Sequence, residues 1–99
     1  MRNNQKTKVS AIVPVFNEGK RVGKVIGTLI KSDLIDEVIC INDGSSDKSL
    51  EVLREFGNKI KLINFKKNQG KGKAVTVGIK KAYGEFLLFC DSDLINFTL

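Results

Sequence analysis

The chain has 99 residues, the length of one modest domain, which excludes a multidomain protein unless the chain is part of something longer. Hydrophobic residues make up 41% and charged residues 28%, with one proline, a composition that is typical of a folded globular chain and excludes a disordered or collagen-like one. The formal net charge is +6 and histidine is absent, which excludes Ser-His and Cys-His nucleophiles and every His-ligated metal site. Catalysis in such a chain must use carboxylates, lysines or a metal held by carboxylates.

The first two predicted elements are a strand and a helix. Residues 9–15 form an apolar run interrupted by Pro14, which predicts a strand. Asn17 then stands at the N-cap position of a helix. Apolar residues recur behind it at the spacing of one helix face: Val22, Val25, Ile26, Leu29 and Ile30.

The same order of strand and helix continues to the end of the chain. Residues 37–41 predict a second strand that is apolar on both faces, followed by a polar turn at 42–47. The remaining predicted elements are a helix with Leu50, Leu53 and Phe56 inward, a strand at 60–65, a glycine-rich loop at 68–72, a helix at 74–82 and a strand at 85–90. Strands separated by helices cannot form hairpins and must pair in parallel through right-handed crossovers. The sequence therefore predicts a doubly wound α/β sheet of order β-α-β-α-β-α-β.

Cysteine usage and the apolar runs predict the compartment. Cys40 and Cys90 lie inside apolar runs without a CxxC spacing, so we expect two reduced core thiols and a cytoplasmic setting. Residues 1–8 are polar and basic and precede no apolar segment of a secretory signal. The longest apolar runs, 38–41 and 86–90, are far shorter than a membrane span, so we expect no membrane segment in this chain.

Polar segments follow all four predicted strands. In doubly wound sheets, ligands bind beyond the carboxyl ends of the strands, where the strand order reverses. Asp91 and Asp93 follow the fourth strand, and extended geometry through Ser92 would place both carboxylates on one face, about 6 to 7 Å apart. Their hard oxygens suit Mg²⁺ or Mn²⁺, which complete their coordination with water and substrate phosphates. The alternative is a solvated turn.

The loops after the other three strands also carry candidate ligand groups. The loop 68–73 places lysines and exposed amides at the start of a helix, which favours phosphate binding, although a flexible basic connector has the same composition. Asp43 precedes a Gly-Ser turn and is placed to contact the base or ribose of a nucleotide, or to form the turn. Asn17 and Glu18 have the same two interpretations: contact with the ligand, or structural roles as a helix cap and a first-turn acid. Asp47 is expected to cap the second helix.

Four ordered motifs together resemble the family 2 glycosyltransferases of GT-A type. They are residues 12–18 (IVPVFNE), 42–47 (NDGSSD), 68–74 (NQGKGKA) and 91–93 (DSD), and they span nearly the whole chain. The third motif looks most like the branch that transfers sugars to polyprenyl or dolichyl phosphate. The resemblance implies a strand order of 3-2-1-4 and one nucleotide-sugar-binding domain over residues 1–99.

The resemblance also implies the roles of individual residues. Pro14, Val15 and Asp43 would contact the base and ribose of a nucleoside-diphosphate sugar, with UDP as the first candidate, and Lys71 and its loop would lie nearby. Asn17, Glu18 and Asp91 would complete the nucleotide-sugar site. Asp91 and Asp93 would hold Mg²⁺ or Mn²⁺ on the diphosphate for an inverting sugar transfer.

Two departures from the family pattern matter. Asn42 replaces the first acid of the commoner Asp-Asp-Gly-Ser motif, which removes one carboxylate. The chain also ends just after the metal motif, so we expect a truncated donor-binding half whose general base lies in a missing second half, and little or no sugar transfer by this chain alone. The fourth strand would then form an exposed edge trailed by Leu94, Ile95, Phe97 and Leu99, and we expect self-association there.

Two other functions remain open from the residues. Residues 59–84 carry eight lysines and no acid, which is compatible with a basic nucleic-acid-binding module. Against this, Phe65 and Tyr83 are the only aromatic residues in that stretch and lie in no RNA-binding motif, so no nucleic-acid partner is expected. A non-catalytic α/β fragment is the other alternative.

Overall fold

The computed structural model describes residues 7–92, which form a four-stranded parallel sheet with helices between the strands. The strand order is β3-β2-β1-β4, as the resemblance predicted, and all three strand pairs are parallel. The elements are β1 (Val9–Val15), α1 (Gly19–Lys31), β2 (Glu37–Asp43), α2 (Ser49–Arg54), a 3₁₀ turn (Gly57–Lys59), β3 (Lys61–Phe65), α3 (Lys71–Lys81) and β4 (Phe86–Phe89). No helix among residues 7–92 is long and apolar enough to cross a membrane.

The helices cover both faces of the sheet, because alternate residues of each central strand point to opposite sides. On one face, Ala11 and Val13 of β1 pack in a cluster with apolar residues of α1 and α2. On the other face, Ile12, Ile39 and Ile41 pack against Ala74 of α3. The doubly wound arrangement read from the sequence is therefore confirmed.

Helix α3 lies unusually close to the sheet at Gly78. A Cβ atom at this position would lie 2.8 Å from methyl carbons of both Ile12 and Ile41, inside van der Waals contact. Glycine is therefore needed here to let the helix backbone approach β1 and β2. The approach sets the height of α3 above the two central strands.

Both cysteines are buried free thiols, as predicted. Burial raises the pKa of the Cys40 thiol to about 12. Burial also raises the pKa of Cys90, with a further contribution from the neighbouring charge of Asp91. Both groups are held in the unreactive thiol form, because the thiolate is the nucleophile.

The amino end of β2 is closed by a network around Glu37. Its Oε1 accepts hydrogen bonds from the Ser10 hydroxyl (2.7 Å) and from the backbone N–H of Tyr83 (2.8 Å). Its Oε2 lies 2.9 Å from the ammonium of Lys61, which also sits over the Tyr83 ring. Burial pushes the pKa of Glu37 upward, but the bonds from Ser10, Tyr83 and Lys61 outweigh it and lower the pKa.

Some predicted boundaries were wrong, for local reasons. Helix α3 begins at Lys71 rather than at residue 74, because the glycines of the preceding segment hide the helix start. Strand β2 continues through Asn42 and Asp43, which the sequence assigned to a turn. Helix α2 has only six residues, and Leu50 lies outside the main cluster while Leu53 lies inside it.

Strand β4 is an edge strand that pairs with β1 alone within the described sheet. Phe86 is 64% exposed and Phe89 54% exposed on this strand. The four apolar residues expected to trail from it lie outside the described residues. Self-association through this edge stays a prediction.

Candidate functional site

The carboxyl ends of β1, β2 and β4 and the loop before α3 meet at one cavity of about 330 Å³. Its size falls within the range of small-molecule sites in proteins. Six of the predicted site residues line it, together with three others: Pro14, Val15, Glu18, Asp43, Lys71 and Asp91, and then Phe16, Asn68 and Ser92. The remaining two predicted residues are Asn17, which lines a separate surface pocket, and Asp93, which lies outside the described residues.

Asn17 joins two loops and does not cap α1, so its predicted N-cap role was wrong. Its φ of +53° is a left-handed conformation that asparagine tolerates better than most residues. Its side-chain oxygen accepts hydrogen bonds from the backbone N–H groups of Ser46 (2.8 Å) and Asp47 (3.3 Å). The N-cap position is taken by Glu18, whose side chain makes no cap bond and lies 3.4 Å from the Arg21 guanidinium.

Asp47 ties together the starts of α1 and α2. One oxygen accepts a hydrogen bond from the N–H of Ser49 (2.9 Å), the first residue of α2, but Lys48 takes the N-cap position that was predicted for Asp47. The other oxygen accepts from the N–H of Gly19 (3.2 Å), the first residue of α1. Burial pushes the pKa of Asp47 upward, but the bonds from the Ser49 hydroxyl and these amides outweigh it and lower the pKa.

Asn42 is a structural link behind the cavity. Its side-chain N–H donates to the Asn64 side chain on β3 (2.8 Å), and its oxygen accepts from the Ser45 hydroxyl (2.6 Å). An amide can donate and accept at once, whereas a carboxylate can only accept. This pairing explains how asparagine is accommodated where the family commonly has an acid.

Asp43 is a nearly fully buried carboxylate that fixes the loop before α3. Its oxygens accept hydrogen bonds from the backbone N–H groups of Gln69 (2.6 Å) and Gly70 (3.0 Å), and from the Asn68 side chain (3.1 Å). The backbone N–H groups of Gln69 and Gly70 were predicted to be exposed and available to phosphate. That prediction was wrong, because both already donate to Asp43. Asp43 reaches the cavity wall as the anchor of this loop.

Gly44 allows the two loops on either side of Asp43 to touch. Its φ is +68°, and a Cβ atom here would lie 2.2 Å from the backbone nitrogen of Asn68 and 2.4 Å from the carbonyl carbon of Lys67. No side chain fits at this position. The β2–α2 turn and the β3–α3 loop therefore form one packed wall of the cavity.

Lys71 and Asp91 form an ion pair across the mouth of the cavity. The Lys71 ammonium lies 2.8 Å from an oxygen of Asp91, which joins the first residue of α3 to the second residue after the end of β4. The two side chains are 67% and 57% exposed. The cavity lining therefore combines this ion pair and the carboxylates of Glu18 and Asp43 with the apolar surfaces of Pro14, Val15 and Phe16.

The oxygen donors near Asp91 fit Mg²⁺ or Mn²⁺. Asp91 supplies a hard carboxylate oxygen, already holds one cation in the form of the Lys71 ammonium, and is followed by the cavity-lining hydroxyl of Ser92. Within residues 7–92 no three acidic, cysteine or histidine side chains gather into a metal-binding group. A bound ion would therefore take further ligands from a diphosphate and from water, which is how Mg²⁺ is commonly held.

Three residues that line the cavity were not predicted as site residues: Phe16, Asn68 and Ser92. Asn68 belongs to the predicted loop and Ser92 to the acidic motif. Both motifs were predicted to lie at the site, but these two residues were not assigned a role in it. Phe16 is 48% exposed in the structure. Its sequence sign was an aromatic residue directly after an apolar strand, at the end of the sheet where ligands bind in this architecture.

Comparison with known proteins decides the family. The model of "Glycosyl transferase family 2" matches residues 10–97. The chain belongs to this family. Poly(ribitol-phosphate) beta-N-acetylglucosaminyltransferase TarS of Staphylococcus aureus is 37% identical to this family 2 chain over 92 residues, and dolichyl-phosphate beta-glucosyltransferase ALG5C of Trichomonas vaginalis is 33% identical over 94.

Solved structures show the same fold. TarS residues 1–349 in complex with UDP-GlcNAc align with a TM-score of 0.79 at 37% identity, covering 87% of this chain and 26% of that one. Glucosyl-3-phosphoglycerate synthase of Mycobacterium tuberculosis, solved with Mn²⁺ and UDP, aligns with a TM-score of 0.80 at 27% identity, covering 93% and 36%.

The family 2 chain matches only part of each relative. The match covers 87% of this chain and 16% of TarS, and 83% of this chain and 28% of ALG5C.

Proposed function

We propose that this chain is a single domain that binds the nucleoside-diphosphate sugar donor of a family 2 glycosyltransferase in the cytoplasm, with UDP as the nucleotide and Mg²⁺ or Mn²⁺ as the ion. The observation that carries the proposal is that the Lys71–Asp91 ion pair and the apolar residues Pro14 and Val15 line the same cavity. The TarS and synthase structures, both solved with uridine nucleotides, support UDP.

The apolar and the charged lining residues suit the two ends of a nucleotide. Pro14, Val15 and Phe16 offer apolar surface on which a flat base can lie. Lys71 offers an ammonium group to the diphosphate, and Asp91, together with Asp93, would hold the ion. When bound, the ion supplies positive charge that stabilises the departing nucleoside diphosphate. Lys71 adds to that stabilisation by pairing with the phosphate oxygens.

We propose a polyprenyl phosphate as the acceptor of the whole enzyme, supported by the dolichyl-phosphate relatives. The cavity carboxylates each have a partner already: Glu18 pairs with Arg21, Asp43 holds the loop amides, and Asp91 pairs with Lys71. Asp43 is engaged by the loop amides and Asp91 would hold the ion, so neither is available as the general base that would activate an acceptor. We expect this chain to bind donor but to sustain no transfer.

Calorimetric titration of UDP tests the proposal. We expect UDP to bind in the presence of Mn²⁺ or Mg²⁺, and to bind at least about tenfold more weakly in EDTA or to Asp91→Asn, because the ion's charge is then lost from the diphosphate. Glu55→Gln is the matched control, since it removes one exposed carboxylate outside the cavity and should leave UDP affinity unchanged.

Two results would contradict the proposal. One is UDP and GDP both failing to bind with either ion present. The other is equal affinity of Asp91→Asn and the unaltered chain for UDP, with no effect of EDTA. RNA binding that ignores divalent ions and weakens steeply with salt would instead support the basic nucleic-acid module.

A further inference from the structure

The Lys71–Asp91 pair places a cation where the proposed function needs a different cation. The ammonium of Lys71 lies 2.8 Å from the carboxylate that is the described candidate ligand for Mg²⁺ or Mn²⁺. A lysine ammonium and a divalent ion both seek carboxylate oxygens, and they repel each other when they share one. Binding of the ion and the ion pair seen here therefore compete for Asp91.

The Lys71–Asp91 ion pair can be broken at little cost in free energy. Both side chains are more than half exposed, and exposed ion pairs of this kind contribute little net stability. Lys71 is the first residue of α3, next to Gly70 with its φ of +97°, and its four-carbon stem can swing without moving the helix. The lysine can therefore exchange Asp91 for another anion within the same cavity.

Resting on the proposed function, we propose that Lys71 is a resident counter-cation of Asp91 that gives way to the divalent ion and transfers its own charge to the diphosphate. In the free protein the Lys71 ammonium neutralises Asp91 and weakens the binding of Mg²⁺ or Mn²⁺ in the absence of nucleotide. When the nucleotide arrives, the diphosphate provides a new partner for the displaced lysine. Ion and nucleotide then bind in a mutually favourable way, because each relieves the cost imposed on the other.

Removing the lysine charge separates these two effects, which have opposite signs. In Lys71→Gln we expect Mn²⁺ alone to bind about two- to fivefold more tightly, the range set by an exposed ion pair. We expect UDP at saturating Mn²⁺ to bind about tenfold more weakly, because a charged hydrogen bond to the diphosphate is lost. If Lys71 only held the loop in place, replacing it with glutamine would not tighten Mn²⁺ binding.

Mn²⁺ affinity is measured without nucleotide, by electron paramagnetic resonance of the free ion, and UDP affinity by calorimetry. Lys71→Arg keeps a cation beside Asp91 and should not tighten Mn²⁺ binding, because the guanidinium pairs with a carboxylate at least as well as the ammonium does. Lys80→Gln removes the same charge from the far end of α3 and should change neither affinity. Circular dichroism verifies that each variant retains its fold.

The outcomes distinguish the two proposals. If the unaltered chain binds UDP with Mn²⁺ but Lys71→Gln binds Mn²⁺ equally or more weakly, the counter-cation role is overturned and the proposed function stands. If Lys71→Gln tightens Mn²⁺ binding but no nucleotide binds either protein, the competition for Asp91 stands and donor binding fails. Absence of Mn²⁺ binding to both proteins, with or without UDP, overturns both.

Discussion

Strand β2 begins and ends with a buried or half-buried carboxylate, and the two ends use it differently. Glu37 at the amino end holds Tyr83, just after α3, while Asp43 at the carboxyl end holds Gln69 and Gly70, just before α3. One strand therefore fixes the backbone at both ends of the same helix. At the amino end the charge of Glu37 is matched by Lys61, and at the carboxyl end a cavity with exposed charges remains.

The two ends of the sheet differ in what their carboxylates support: the amino end holds a purely structural network, and the carboxyl end holds the loop of the proposed binding site. The Glu37 network closes on itself, with every partner drawn from neighbouring strands or from the turn after α3. Asp43 holds a loop whose next residue, Lys71, points its charge to the cavity. We therefore expect changes at the amino end to affect unfolding alone, and changes at the carboxyl end to affect both unfolding and nucleotide affinity.

Gly44→Ala should break the carboxyl end most severely. The added methyl clashes with the backbone of Lys67 and Asn68 and is strained at φ +68°, so we expect a loss of about 3 to 4 kcal/mol in the free energy of unfolding. Urea unfolding measures it. Gly57→Ala is the control, because it has a similar φ of +58° with open space around it, and should lose about 1 kcal/mol. Equal losses in both variants would show that the loops do not form a packed wall.

Asp43→Asn and Glu37→Gln test the comparison directly. Each amide keeps the shape but loses an acceptor for buried donors, and we expect each to lose about 2 kcal/mol in unfolding free energy. Asp43→Asn should also weaken UDP binding several-fold by releasing the loop that carries Lys71. Glu37→Gln should leave UDP affinity unchanged, and a comparable loss of affinity in that variant would remove the distinction between the two ends.

The smallest expected effect is the pH dependence of the free energy of unfolding, which reports the charge of Glu37 at the amino end of β2. The pKa of Glu37 is lowered in the fold from its ordinary value of 4.5, so its stabilisation is complete above that value and is lost as the pH falls through the lowered pKa. Glu37→Gln should flatten this acid loss by less than about 1 kcal/mol. Asp47, whose pKa is also lowered, accounts for part of what remains. Urea midpoints between pH 7 and pH 3 provide the measurement, and identical slopes in both proteins would contradict the Glu37 assignment.

The order of elements could be predicted from the sequence because apolar spacing is a local property of strands and helices. The polar partners could not. Asn17 has the composition of a helix cap, yet its side chain bonds to amides 29 and 30 residues further along the chain. Asp43 and Lys71 were identified as site residues, but their bonds to Gly70 and Asp91 depend on how β3, α3 and β4 are placed, which no local pattern reports.

Gly78 is the pivot through which the sheet sets the position of α3 and of Lys71, which lines the cavity. The helix rests on Ile12 and Ile41 at this glycine, and Lys71 lies seven residues away, a distance of about 10 Å along the helix axis. A methyl group added or removed beneath the pivot would tilt the helix and change how far the lysine reaches. We therefore expect substitutions at Ile12 or Ile41, neither of which lines the cavity, to change the affinity for the proposed nucleotide.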